Sequence, residues 1–488
     1  MKGIERTALA EILSAPQGEG VRMLMAGDVS LLTSREEILA AVDQCPEPEQ
    51  AARTVADLLT AGRLTLASVD DATFVKALRE DGASPAATGR TLLREAGVTE
   101  IVPSVHEQRP AYASYGRQQV TEADLRAVRR ALLSDFLTCG PAVAEFEAAV
   151  SRLSGVAHGV AVSSGTAALH CAMHALGIRP GDEVIVPPLT FSATANCVRY
   201  LGGTPVFADI DPEFLTIDPA SVAARITSRT KAVVAVDYAG QPCDYARLRE
   251  LAGDHGLALA ADACHSIGGS DNGRSVGTLA DLTVYSFHPV KHLTCGEGGM
   301  VVTDDQSLAD RARAFRSHGI TRDFRDRASV GSHAYDIEEI GFNYRLPDIN
   351  CALGLSQLDR LGVSIAIRQA LAARYREGLA AIPGITAPSE RAGVNHAYHL
   401  FVVQVDRDRF GLSRDELFTV LADRGIGVNV HYPPVHLLSA YRRELGTGPG
   451  LCPVAEAACE RLLTLPLHPG MDAADVEYVV QSITEVGQ

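Results

Sequence analysis

From Glu122 onward the chain alternates short β-branched runs with helix-length segments, and this alternation limits its fold more than any other feature. The runs are Gly159–Ser163, Glu183–Val186, Thr204–Ala208, Ala232–Asp237, Ala258–Asp262, Leu282–Ser286 and Met300–Thr303. Strands separated by a helix's worth of residues do not close as hairpins. They pair mostly in parallel, with helices on both faces of the sheet. A doubly covered α/β sheet is therefore expected. Beyond residue 360 the pattern changes to a long helix through Ala380, a strand at Tyr398–Val405, a helix at Arg414–Arg424 and a strand at Gly427–His431. That change predicts a second, smaller α+β domain.

Before the alternation begins, residues 1–104 read as short helices at Ile4–Ser14, Arg35–Asp43 (after a Ser34 N-cap), Glu49–Ala61, Ala72–Glu80 and Ala87–Ala96. Each has apolar residues at three- and four-residue spacing, and Gly, Pro or Asp punctuates the gaps. The stretch Val102–Gly116 has two prolines and little periodicity, as a linker would. At 488 residues the chain exceeds a single hydrophobic core. The expected plan is a helical module at 1–104, a linker and N-terminal segment at 105–140 joining the small domain, a large domain at 141–360 and a small C-terminal domain at 361–488.

Composition excludes several classes. The net charge of −16 argues against a nucleic-acid partner, although a small phosphorylated ligand needs only local positive groups. No apolar run reaches the roughly 18 residues of a membrane span. The start, MKGIERTALAEILSAPQGEG, lacks the apolar block of a secretory signal, so a cytoplasmic protein is expected. The ten cysteines are scattered without a CxxC pair. Neither they nor His288 and His292 combine metal-ligand spacing with a carboxylate partner, and no metal is assigned.

The most informative segment is Asp281–Met300, DLTVYSFHPVKHLTCGEGGM. A β-run ends at Ser286, Lys291 follows five residues later, and glycines lead into the next run. A lysine desolvated at such a strand end has a lowered pKa and becomes a nucleophile able to form a Schiff base. Three other segments gain weight in its company. In Val162–Leu169, VSSGTAAL, a strand ends and a helix begins, so free amides with the Ser164 and Thr166 hydroxyls make a phosphate cradle. In Leu259–Ser266, LAADACHS, Asp262 ends an apolar run where a carboxylate needs a partner such as a protonated pyridine nitrogen. In Pro187–Thr194, PPLTFSAT, a rigid turn delivers Phe191 as a face for a cofactor ring. Alone, each has a plain structural reading: an ordinary N-cap, an Asp capping a helix, an aromatic in the core.

Taken in order, the motifs YGRQ, LTCGP, SSGTAAL, PPLTFSATAN, VDYAGQPCD, ADACHSIG, SFHPVKHLTCGEGG, FRSHGI, GFNYRLPDINCALGLSQL and VNVHYPPVH resemble the DegT-type sugar aminotransferases. The resemblance runs from Ala113 to the C-terminus and is greatest to the C4 aminotransferases of pseudaminic acid biosynthesis. It implies a fold type I enzyme of pyridoxal 5′-phosphate (PLP), with pyridoxamine phosphate (PMP) as its intermediate form. Lys291 would carry the cofactor and shuttle protons, Asp262 would hold the pyridine nitrogen, and Phe191 would stack on the ring. Ser164, Gly165, Thr166 and Ser286 would bind the phosphate, and His265 would lie beside the ring. Asn343 would reach the phosphate from a neighbouring subunit, which implies a homodimer with shared active sites. Tyr115, His318, Arg345, His431 and Tyr432 are candidates for the substrate or amino-donor pocket, or for structural roles. The implied reaction moves an amino group from L-glutamate to a nucleotide-linked 4-keto-6-deoxy sugar, UDP being the expected carrier.

Three rivals differ in testable ways. A dehydratase of the same family would have a histidine in place of Lys291. A cyclitol or aminoglycoside precursor would use the same chemistry on another acceptor. A PLP-sensing DNA-binding regulator would need a basic head, but residues 1–104 have ten Lys and Arg against sixteen Asp and Glu, a net charge of −6.

Overall fold

In a computed structural model that describes residues 114–320 and 333–487, the β-branched runs form one seven-stranded sheet. The helices expected in residues 1–104 lie outside the described residues, as does the linker up to residue 113. The strands are β1 (His158–Val162), β2 (Glu183–Val186), β3 (Thr204–Phe207), β4 (Thr230–Val236), β5 (Ala258–Asp262), β6 (Leu282–Ser286) and β7 (Gly299–Thr303). Their order across the sheet is β1-β7-β6-β5-β4-β2-β3. Only β7 runs against its neighbours, because the chain returns from β6 without a crossover helix. The remaining pairs, β2 with β3 and β4, β4 with β5, and β5 with β6, are parallel.

Burial explains why these runs are so uniformly apolar. Val160, Val184, Val234, Ala260 and Val284 pack on one face of the sheet, and Ala161, Ile185, Val233, Leu259 and Tyr285 on the other. Both faces are thus core, the condition under which strands read as continuous hydrophobic runs instead of alternating ones.

A second sheet of three strands joins β8 (Ile385–Thr386), β9 (Phe401–Val405) and β10 (Leu462–Leu465), all antiparallel. It has its own core, with Phe401, Val403, Leu463 and Leu465 packed against Leu371, Tyr375 and Leu379 of the helix Leu361–Leu379. Two expectations fail here. The Gly427–His431 run forms no strand and makes only a bridge from Asn429 to Thr464. The expected strand at Tyr398 begins at Phe401, because Tyr398 takes a left-handed backbone with φ 51° that breaks the extended path. The longer of the two pairing partners of β9 is the run Leu462–Leu465, which follows the helix Pro453–Arg461 with no turn signal between them. Among the described residues no helix is long and apolar enough to cross a membrane.

Candidate active site

Parallel strands present their C-terminal ends along one edge, and a loop leaves each end there, which is where open α/β sheets bind ligands. The ends of β1, β5 and β6 carry Ser163, Asp262 and Ser286 respectively. The helix Gly165–Ala175 starts from the same edge, capped by Ser164, whose Oγ accepts from the Ala167 amide at 3.1 Å. The capping reading of Ser164 is therefore realised, and its hydroxyl hydrogen stays available. As the first two helical amides, those of Gly165 and Thr166 have no acceptor within the helix.

Close approach explains the glycines. A Cβ on Gly165 would come within 2.8 Å of the Ser286 Cβ, so the ends of β1 and β6 meet only because that position has no side chain. A Cβ on Gly299 would strike the Ser164 carbonyl. The result is a small-residue concavity with free amides and two hydroxyls, the donor set a phosphate group takes.

Asp262 is 6% exposed and held from two sides. Its Oδ2 accepts from Thr194 Oγ1 at 2.7 Å, and its Oδ1 from the Cys264 amide at 3.3 Å. Thr194 Oγ1 is itself 2.7 Å from Thr190 Oγ1. Asp237, in VDYAG, supports the same loop by accepting from Tyr245 Oη at 2.8 Å, Ser266 Oγ at 2.5 Å and the Cys243 amide at 3.0 Å. Burial pushes the Asp237 carboxyl up to about 6 in spite of those donors.

Lys291 lies in the turn between β6 and β7, and its Nζ is 3.5 Å from His399 Nε2. Burial lowers the lysine pKa, and the nearby Cys264 and Asp262 only partly oppose it. His265 is held well below the usual histidine range, first by burial and then by Lys291, His431 and His292. Its Nε2 is 3.3 Å from the Tyr432 hydroxyl, while its Nδ1 has no hydrogen-bond partner.

Aromatic contacts continue this set outward. The ring of Tyr432 is 6.0 Å from that of Phe191, His431 is 4.8 Å from Tyr432, and Tyr115 is 5.0 Å from His431. Phe191 is 58% exposed at the end of the turn after β2, a large aromatic face left uncovered. His431 is buried, with Nδ1 2.8 Å from Thr464 Oγ1, and burial drives its pKa down to about 3. Through His399, whose ring is 4.4 Å from that of His265, the geometry joins Lys291 to His265, Tyr432, Phe191, His431 and Tyr115 in one chain of contacts.

Three of the residues singled out in the sequence lie apart from that chain. Tyr344 accepts the Ser163 amide at 2.7 Å and Arg345 bridges Val162, so GFNYRL runs beside the end of β1 and leaves Asn343 exposed. His318 is also exposed, with φ 65°, its amide bonded to the Phe342 carbonyl. Among the described residues no hydrogen bond or ion pair joins the side chain of His318, Asn343 or Arg345 to Lys291 or Asp262.

Thr194, His399 and Arg368 also join the site or its support, without a role in the sequence motifs. Arg368 left a signal: it stands on the apolar stripe of its helix, between Ile365 and Leu371, where a charge requires partners. His399 left none, because it meets Lys291 across 108 residues of chain. No group of His, Cys, Asp or Glu among the described residues is arranged to hold a metal ion.

Residues 118–484 match the sequence profile of the DegT/DnrJ/EryC1/StrS aminotransferase family. The chain is 40% identical over 382 residues to the spore coat polysaccharide biosynthesis protein SpsC of Bacillus subtilis, a match spanning 78% of this chain and 98% of SpsC. Among solved structures, the PMP form of Spr1654 from Streptococcus pneumoniae agrees with TM-score 0.72 at 31% identity, over 76% of this chain and 98% of Spr1654. Spr1654 has also been solved in a PLP form. PseC of Helicobacter pylori, an aminotransferase involved in pseudaminic acid biosynthesis, agrees with TM-score 0.72 at 31% identity, over 77% of this chain and 99% of PseC. Fold and site therefore define a fold type I, PLP-dependent aminotransferase. The chain belongs to the DegT/DnrJ/EryC1/StrS aminotransferase family.

Proposed function

We propose that this aminotransferase moves the amino group of L-glutamate to the keto carbon of a nucleotide-linked 4-keto-6-deoxy sugar, UDP being the expected carrier, in amino-sugar biosynthesis. The observation that carries the reading is Lys291, a lysine whose pKa burial lowers and whose amine feels the charge of the buried, hydrogen-bonded Asp262. The kinship with SpsC and PseC supports a sugar acceptor.

PLP, when bound, supplies the electron sink that makes the proton on the amine-bearing carbon of the donor removable, and it carries the amino group between the two substrates. The chain's own residues supply the rest. Gly165 and Thr166 amides with the Ser164 and Ser286 hydroxyls would take the phosphate, in the concavity that a Cβ at Gly165 would fill. Asp262, fixed by Thr194, would hold the ring nitrogen. The uncovered face of Phe191 would lie against the ring, with His265 beside it.

Lys291 would bond the cofactor through Nζ as a free amine and, once released, take up and return the proton at the reacting carbon. Proton transfer by a positioned group contributes about 100- to 10,000-fold. Tyr115, His431 and Tyr432 would line the substrate pocket, with His318 and Arg345 farther out. Asn343 would serve a partner subunit in a homodimer, and its exposure beside Ile340 and Phe342, which are 84% and 43% exposed, supports that role. The division into a cofactor-holding body at 141–360 and a smaller lobe at 361–488 is part of the same reading.

The test incubates the purified protein with glutamate and a panel of UDP- and other nucleotide-linked 4-keto-6-deoxy sugars, with a cyclitol ketone as control, and follows product mass. Exchange of oxygen for an amino group on a nucleotide sugar supports the reading. Turnover of the cyclitol ketone alone would move the acceptor to the rival class.

A further inference from the structure

The amine of Lys291 is met from the small lobe. His399 Nε2 is its one hydrogen-bond partner among the described residues. The other ring nitrogen of His399, Nδ1, is buried and has no partner. The imidazole is 4% exposed, so it has given up solvent on all sides for a single polar contact, and that contact is the lysine.

The ring is held in place by its own backbone. Arg368, 1% exposed, donates from Nη1 to the His399 carbonyl at 3.2 Å, and also to those of Tyr398 at 3.3 Å and Leu467 at 2.8 Å. This buried guanidinium pins the turn before β9 to the segment after β10. The rings of His265 and His292 stand 4.4 and 5.6 Å from that of His399.

We propose that His399 is the positioning residue for the Lys291 amine: a neutral imidazole that orients Nζ through one hydrogen bond while adding no charge to it. This inference rests on the reading of Lys291 as the reactive amine. The charged and titratable groups around the pair are Asp262 and Cys264 on the sheet side, with His265, His292, Arg368 and His431. Asp262 is the one carboxylate among them, so an imidazolium at 399 would add positive charge beside a lysine and an arginine. Burial first, and then Lys291, hold His399 well below the usual histidine range. A carboxylate in the same place would raise the proton affinity of the lysine and remove the free amine that chemistry requires.

The sequence makes this testable without turnover, because it contains four lysines only: Lys2, Lys76, Lys231 and Lys291. Competitive acetylation of the full-length, cofactor-stripped protein, read by peptide mass spectrometry across pH, titrates Lys291 by itself, with the exposed Lys231 as internal standard. His399→Glu is expected to raise the Lys291 midpoint by ~1–3 pH units, and His399→Gln to leave it near the wild-type value. In the cofactor-loaded protein, His399→Phe is expected to lower kcat by up to about tenfold at unchanged KM, and His399→Gln to recover most of that loss. Should His399→Glu fail to fold, the contrast between Phe and Gln decides. Equal Lys291 midpoints in folded wild-type, Glu and Gln proteins, or equal kcat in folded Phe and Gln proteins, would overturn the proposal. The titration stands even where the function reading fails, since a protein without cofactor absorbance still reports whether His399 sets the lysine.

Discussion

The two walls of the candidate active site are built in opposite ways. On the sheet wall, each chemical group follows a strand end within a few residues: Ser164 after β1, Asp262 at the end of β5, Ser286 at the end of β6 and Lys291 shortly after. On the small-lobe wall, His399, His431 and Tyr432 stand outside the strands and reach the site over long chain separations, as in the 167 residues between Tyr432 and His265. The sheet wall is fixed by backbone pairing, whereas the small-lobe wall depends on single buried contacts such as the Arg368 clamp. Local rules therefore place the first wall, and only tertiary packing places the second.

On this contrast the largest effect belongs to Lys291, the proposed reactive group of the sheet wall. Lys291→Ala should lower turnover by at least ~100- to 10,000-fold with the phosphate concavity intact, so cofactor added to the variant should still bind; equilibrium dialysis checks this. The next largest should come from the clamp. Arg368→Met leaves three buried carbonyls without their donor, at a cost on the order of 3 kcal/mol. Denaturant unfolding measures that loss, and an unchanged midpoint would break the view that the small-lobe wall hangs on this residue. Gly299→Ala drives a Cβ into the Ser164 backbone carbonyl, which cannot swing away as a side chain can. It should cost about 1–3 kcal/mol and weaken PLP retention more than Arg368→Met does, as a dialysis time course would show.

The smallest effect is in pH dependence. His170, in the helix that begins at the cradle, is pushed down to about 4 by burial, with His174 adding to the shift. Its folded pKa lies below the unfolded value, so the unfolded chain binds the proton first and stability falls as pH drops from about 6.5 towards 4. His170→Phe should remove one proton from that slope, up to ~1.4 kcal/mol per pH unit. Asp237 acts in the other direction. Its carboxyl, raised to about 6, contributes stability below about 3.9 that is lost as pH rises through 6. Asp237→Asn should remove that loss between about pH 4 and 6, and should lower stability at every pH, because Asn keeps only part of the three-donor set.

How much of the molecule was legible follows the same division. The strands Glu183–Val186, Ala258–Asp262 and Leu282–Ser286 were read with their observed limits, because burial on both faces makes them unbroken apolar runs bounded by turns. In the small lobe, the sequence marks Gly427–His431 as a strand and gives no sign of Leu462–Leu465, since short apolar runs there serve as strand or loop according to which neighbour supplies hydrogen bonds. In the candidate site, Asp262 at a strand end and Lys291 just past one are legible as polar groups in apolar surroundings that call for a partner. Thr194 was not, because a hydroxyl inside a helix carries no sign that it faces a carboxylate 68 residues away. Arg368 was readable in principle as a charge on an apolar stripe. His399 was not readable, and it supplies the lysine's one hydrogen bond among the described residues.

Wild-type protein and Lys291→Ala, set side by side with glutamate and a UDP-linked 4-keto-6-deoxy sugar, are to be followed by visible absorbance and product mass together. The expected result is a yellow wild-type protein whose absorbance changes with glutamate and which releases the amino sugar, and a variant that releases none. Amino-sugar release by Lys291→Ala at a rate comparable to wild type would rule out Lys291 as the reactive amine.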